Sequence, residues 1–193
     1  MEKKKKVFLI VGIVVVVLLI LVKSLVSSYN GLVVKEEEAT NKFSDVSVQL
    51  ERRADLIPNL VKTVKGYAKH EDKAIENVTK SREKLLKADG VEDKAKANEQ
   101  LTKSINNLLM IVENYPKLTA DKNFIQLQDE LAGTENRIAI ARKEYNASVK
   151  DYNRSVKSFP TKILASIFGF DEKEYFEASE ESKEVPDVSF DEE

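Results

Sequence analysis

NFIQLQDELAGTENRIAIARKEYNASVKDYNRSVKSF, residues 123–159, is the stretch that decides the fold of this 193-residue chain. Its apolar side chains fall at Phe124, Leu127, Leu131, Ile138, Ala141, Tyr145, Val149, Tyr152, Val156 and Phe159, with Thr134 as the single polar member of the seam. The spacing alternates between three and four and averages about 3.5 residues, the period that winds helices left-handedly around one another as a coiled coil. A seam this long and narrow needs partner helices to cover it. Three more stretches upstream supply them. The first reads Leu25, Tyr29, Leu32, Glu36, Ala39, Phe43, Val46, Leu50, Arg53, Ile57. The second reads Val61, Val64, Ala68, Glu71, Ile75, Val78, Arg82, Leu85, and the third Val91, Ala95, Asn98, Leu101, Ile105, Leu108, Val112, Tyr115. The expected fold class is all-α: an N-terminal transmembrane helix followed by an antiparallel up-and-down four-helix bundle with long helices.

The breaks between helices are read from proline and glycine. Asp89-Gly90 is a strong turn signal, and Pro116 stops the third helix. Pro58 cannot sit inside a helix without losing a hydrogen bond and meeting the carbonyl one turn back, but it suits the first position of a new one. The spacing therefore predicts a tight turn at Asp55-Leu56-Ile57. A kinked continuous helix is the alternative.

Val7 to Val22 is an unbroken apolar run in which only Gly12 is neutral. With Leu25, Val26 and a snorkelling Lys23, it approaches the ~20 residues that a bilayer core requires. Lys3 to Lys6 precede it, and the positive-inside bias places the N-terminus in the cytoplasm and the bundle outside the cell membrane. A cleavable signal peptide ending near Ser28 is the rival, but the run is longer than the usual 7–15 residues. The expected organisation is a short cytoplasmic N-terminus (1–6), a transmembrane helix (7–26), a bundle (27–170) and an acidic, disordered tail (171–193). Ile163, Leu164, Ile167, Phe168 and Phe170 form a short apolar stretch that either caps the bundle or, less favoured, lies on the membrane surface.

Charge is unevenly spread. The net charge of -2 conceals five lysines against Glu2 in residues 1–23 and eleven acids against Lys173 and Lys183 in residues 171–193. The nearly balanced middle has no basic stripe with interleaved aromatics, so nucleic acid is not an expected partner. There is no cysteine, which removes disulfides, thiolate metal sites and a thiol nucleophile. A single histidine, His70, cannot form a multi-histidine zinc site. No glycine-rich phosphate loop or nucleophile elbow occurs. The expectation is no enzyme, no metal and no cofactor; a His70-Glu71 catalytic pair is the weakest of the three functional readings.

Two places draw attention instead. Arg52, Arg53, Asp55 and Pro58 surround the expected distal turn. Tyr29-Asn30, Tyr145-Asn146 and Tyr152-Asn153 repeat a Tyr-Asn-x-x-Val pattern that in an up-down bundle lies toward the membrane, as seam filling or as an ordered polar layer or partner surface. Glu36, Arg53, Glu71 and Arg82 fall inside apolar seams. They snorkel at the seam edges, pair across helices and fix register, or, as the least favoured reading, form a ligand site.

These residues resemble the LemA family. Gln49-Leu50-Glu51-Arg52-Arg53-Ala54-Asp55-Leu56-Ile57-Pro58-Asn59-Leu60-Val61, then Thr63-Val64-Lys65-Gly66-Tyr67-Ala68 and His70-Glu71, are similar to its signature. So are Asn123 to Leu131, Thr134 to Ile138 and Ala141-Arg142, with the Tyr-Asn pairs, Phe159-Pro160 and Phe168-Gly169-Phe170. Phe43 departs from it, where the family commonly has tryptophan. The resemblance implies a helical bundle behind one anchor in a bacterial envelope, with no established reaction or ligand. The functional expectation is a membrane-anchored, non-catalytic interaction or scaffold protein whose partner is another membrane or envelope protein. A signalling or regulatory adaptor acting on a membrane partner such as a protease is the alternative. About six residues on the cytoplasmic side would leave that adaptor without an output domain of its own. Nothing in the sequence sets the oligomeric state.

Overall fold

The computed structural model describes residues 2–68 and 70–177, with side chains from Phe8 onward. The helices are α1 (Glu2–Tyr67), α2 (Asp72–Lys87), α3 (Gly90–Val112), the single turn α4 (Pro116–Thr119), α5 (Lys122–Lys157) and α6 (Thr161–Phe168). No strand occurs among the described residues. The remainder of the expected tail, residues 178–193, and the basic side chains Lys3 to Lys6 lie outside the described residues.

The chain divides into two compact units, and α1 and α5 contribute to both. One holds residues up to Asn41 together with Ala147–Lys173; the other holds Lys42–Asn146 and the segment from Glu174.

In the second unit four helical stretches run up and down. Lys42 pairs with Glu144, Arg53 with Glu135, and Tyr67 with Asp121, so α1 and α5 are antiparallel. Ser81 meets Ser104 and Lys84 meets Gln100, which makes α2 and α3 antiparallel. The core is drawn from the seams: Val46, Leu50, Ala54, Ile57, Leu60 and Val64 of α1, Ile75, Val78 and Leu85 of α2, Leu101, Ile105 and Leu108 of α3, and Phe124, Leu131 and Ile138 of α5. Thr134, the polar member of the α5 seam, is fully buried and donates its hydroxyl to the Leu131 carbonyl at 2.7 Å.

Two turns follow local chemistry. At Asp89-Gly90 the Asp89 carboxylate accepts from the Gly90 N–H, and Gly90 takes φ +73°, a region that other residues avoid. At the start of α5 the Asp121 carboxylate accepts from the backbone N–H groups of Asn123 and Phe124 and thereby caps the helix.

The expected turn at Asp55-Leu56-Ile57 is not there. α1 continues through Pro58 to Tyr67, and the chain reverses after Ala68. The expected second helix, from Pro58 to the Asp89-Gly90 turn, is accordingly divided between the end of α1 and α2. Two effects decide this. Pro58 has no N–H for the carbonyl of Ala54, four residues earlier, but the Arg82 Nε of α2 donates to that oxygen at 2.9 Å. On either side of the proline, Ile57, Leu60 and Val64 are almost wholly buried. Burying three such side chains is worth about 1.5–3 kcal/mol each, which outweighs the ~3 kcal/mol cost of an interior proline.

The first unit contains the start of α1, the end of α5 and α6. Leu32, Tyr152, Val156 and Ala165 form its core, with Phe170 packed against them. Polar links surround it: Lys35 to Ser155, Lys173 to Glu36, and Lys157 to Glu172. Leu164 and Ala165 bury one face of α6, which caps this core, while Ile163, Ile167 and Phe168 stay exposed. Within α1 every side chain from Phe8 to Val26 is exposed.

Candidate interaction surfaces

The four residues expected at a distal turn are on one continuous helix and have divergent environments. Arg52, Asp55 and Pro58 are exposed. Arg53 is only 4% exposed. Its guanidinium meets Glu135 of α5 at 2.6 Å and donates to the Asn98 and Thr102 side chains of α3, each at 2.9 Å. Burial pulls the Arg53 pKa below its ordinary value, and the Glu135 carboxylate partly opposes that. Arg53 thus ties three helices together as a register pin and presents no surface for a partner.

The other seam charges also find partners. Arg82 supplies the bond that Pro58 withholds. Glu71 accepts from the Tyr115 hydroxyl at 2.7 Å, and Glu36 meets Lys173 at 3.2 Å. Glu71 thus serves as an acceptor for Tyr115, while the neighbouring His70 is exposed. Among the described residues, no group of three or more His, Cys, Asp or Glu side chains is placed to hold a metal ion.

The Tyr-Asn pairs of α5 have a role that their spacing did not disclose. In the second unit, Asn146 Nδ2 donates to the Phe176 carbonyl at 3.1 Å, and its Oδ1 accepts from the Phe176 N–H at 2.8 Å. In the first unit, Asn153 does the same to Lys173, at 2.8 and 2.9 Å. Each carboxamide satisfies both backbone groups of one residue, in the manner of a neighbouring β-strand. The segment after α6, which the sequence reading placed in a disordered tail, is hydrogen-bonded at these two residues. The Phe176 ring is buried and lies 5.0 Å from the Arg142 guanidinium. The sequence carried one hint, an aromatic residue within an acidic stretch.

The tyrosines beside the clamps are core residues. Tyr145 is 2% exposed, packs its ring 5.5 Å from Phe43, and donates its hydroxyl to the Glu174 carbonyl at 2.7 Å. Tyr152 is fully buried, but its hydroxyl has no hydrogen-bond partner. Burial pushes both phenols up to about 12, helped at Tyr145 by the Glu174 carboxylate and at Tyr152 by those of Glu36 and Asp171. The third copy differs. Asn30 is exposed, and the Tyr29 ring packs edge-on to Phe168 and Phe170, at 4.9 and 5.6 Å.

Known proteins share this sequence. A family model described as the LemA family matches residues 42–190. Magnetosome protein MamQ of Magnetospirillum gryphiswaldense is 29% identical over 80% of this chain and 66% of its own length, so the chain spans just under two thirds of that relative. Magnetosome protein MamQ 2 of Paramagnetospirillum magneticum is 26% identical over 81% of this chain and 67% of its own length. Protein LemA of Metamycoplasma hominis is 24% identical, with 85% and 75% covered. None of these names states a reaction. The family match takes in Arg53, the register pin of α1, and both asparagine clamps of α5, and the chain belongs to the LemA family.

Proposed function

We propose that this protein is a membrane-anchored, non-catalytic interaction protein of the cell envelope, with its N-terminus in the cytoplasm and its bundle on the other face of the membrane. One observation carries the reading. The same unbroken helix, α1, bears a fully exposed apolar stretch from Phe8 to Val26, apart from Lys23 and Ser24, and further on the seam that builds a bundle core. An apolar surface with no polar face belongs in lipid, and the four lysines ahead of it support the orientation. The polar groups that chemistry would need are spent on holding helices together, which supports a fixture over a catalyst. The partner is another membrane or envelope protein. The exposed Arg52, Asp55, Pro58 and Asn30 are the contact candidates that remain once Arg53, Tyr29, Tyr145, Tyr152, Asn146 and Asn153 have been given structural tasks.

Because the chain has no cysteine, single cysteines test the topology cleanly. A membrane-impermeant maleimide added to intact cells should label Met110→Cys, an exposed position, and leave Glu2→Cys unlabelled. The reverse labelling would overturn the orientation, and release of the protein by alkaline carbonate would overturn the anchor. Photo-crosslinking residues at Arg52 and Asp55 in native membranes should give discrete heavier adducts. Their absence from a folded protein removes this face from the interaction.

A further inference from the structure

The outer face of α6 is left largely uncovered by the described residues; of its three large apolar side chains, Phe168 alone meets another ring. Ile163 is 53% exposed, Ile167 68% and Phe168 57%, while the opposite face buries Leu164 and Ala165. The helix has no acidic residue, and Lys162 is its only charge. Such a short helix, apolar on both sides, is poorly suited to water.

Its position relative to α1 says what covers it. Both belong to the same compact unit. The Phe168 ring stands 4.9 Å from the ring of Tyr29, and Phe170 joins the same edge-on cluster. A hydrocarbon core of ~30 Å takes about 20 helical residues at 1.5 Å each. Counted from Val7, that span ends at Val26. Tyr29 is three residues further, about 4–5 Å beyond the core if α1 stands upright. The polar layer on each side of the core is roughly 5–8 Å deep. The Tyr29–Phe168 cluster therefore falls at headgroup depth, where aromatic belts sit.

We infer that α6 is a second membrane contact: its outer face, Ile163, Ile167 and Phe168, rests in the headgroup and upper acyl region of the leaflet from which α1 emerges. Lys162 reaches the phosphates from the flank, as basic residues of interfacial helices do. The contact rests on the anchored reading above and extends it. Two attachment points on one unit hold that unit at a fixed tilt to the bilayer, which a lone helix does not.

The chain contains no tryptophan, so single reporters are unambiguous. The full chain carrying Ile167→Trp is reconstituted into vesicles of phosphatidylcholine and phosphatidylglycerol, with a nitroxide either just below the headgroup or near the bilayer centre. Val15→Trp serves as the reporter of the span. Ile167→Trp should lose most of its emission to the shallow nitroxide, little to the deep one, and be shielded from aqueous iodide. Val15→Trp should respond chiefly to the deep nitroxide. If Val15→Trp is quenched but Ile167→Trp answers only to iodide, the α6 contact is wrong and the anchor stands. If neither reporter feels a nitroxide, the anchored reading fails and takes this inference with it.

Discussion

The last third of α1 and the last third of α5 both carry polar residues in apolar surroundings, and they spend them differently. Around Arg53 the polar side chains bond across helices: a charge is drawn into the core and matched by Glu135, Asn98 and Thr102, while Arg82 completes the backbone at Pro58. Around Tyr145 and Tyr152 the polar groups turn mostly to main chain, and the carboxamides of Asn146 and Asn153 hold the segment after α6 by its N–H and C=O groups. A buried charge fixes which residues face each other, because any other register strands it. A carboxamide clamp reads backbone and is nearly indifferent to the side chains it holds. The first arrangement sets the register of the helices; the second ties down the segment that follows α6.

The largest expected effect lies at the first site. Arg53→Ala should cost about 3 kcal/mol in urea unfolding of the detergent-solubilised chain, the low end for breaking a buried pair, since Glu135 is 44% exposed and regains water. Its neighbour Arg52, exposed on the same helix, should change stability by less than about 0.5 kcal/mol when replaced by alanine. Equal effects from the two would erase the distinction between pin and surface.

Next comes the proline bond. Arg82→Ala leaves the Ala54 carbonyl unpaired and should cost about 1.5–2 kcal/mol. In a Pro58→Ala background residue 58 regains its N–H, so the same change should cost clearly less. A double-mutant cycle with no coupling would show that Arg82 acts elsewhere.

The smallest effect separates the two buried tyrosines of α5. Tyr145→Phe gives up a hydroxyl that bonds the Glu174 carbonyl and should cost about 1 kcal/mol. Tyr152→Phe removes a buried hydroxyl with no partner, so it should be neutral or slightly stabilising. Both phenols ionise at about 12 when folded and near 10.0 when unfolded. The unfolded chain then holds fewer protons than the folded one across that interval. Stability is intact below pH 10 and should fall as pH rises toward 12, with a shallower slope in either phenylalanine variant. An unchanged alkaline slope in the double variant would show that other groups govern the loss.

Much of this architecture was readable from residue order. The apolar run from Val7 to Val22, the seam of α5, the turn at Asp89-Gly90 and the stop before Pro116 are local signals, carried by composition, period and backbone restriction, and they gave an all-helical chain with one candidate span. The LemA resemblance rested on the same residues. What escaped was whatever a distant residue supplies. Pro58 announces a helix end by local rules, and only the arrival of Arg82, 24 positions later, cancels it. Arg53 falls in the α1 seam and Arg52 beside it, but only the packing of α3 and α5 supplies the Asn98, Thr102 and Glu135 side chains that take the seam charge. Asn146 and Asn153 show a repeat, but their partners Phe176 and Lys173 are 20 to 30 residues away in a stretch without periodicity. Period and propensity act within a few turns of helix, and they determined the elements. The satisfaction of buried polar groups is settled between elements, and only the folded chain could show which oxygen each donor finds.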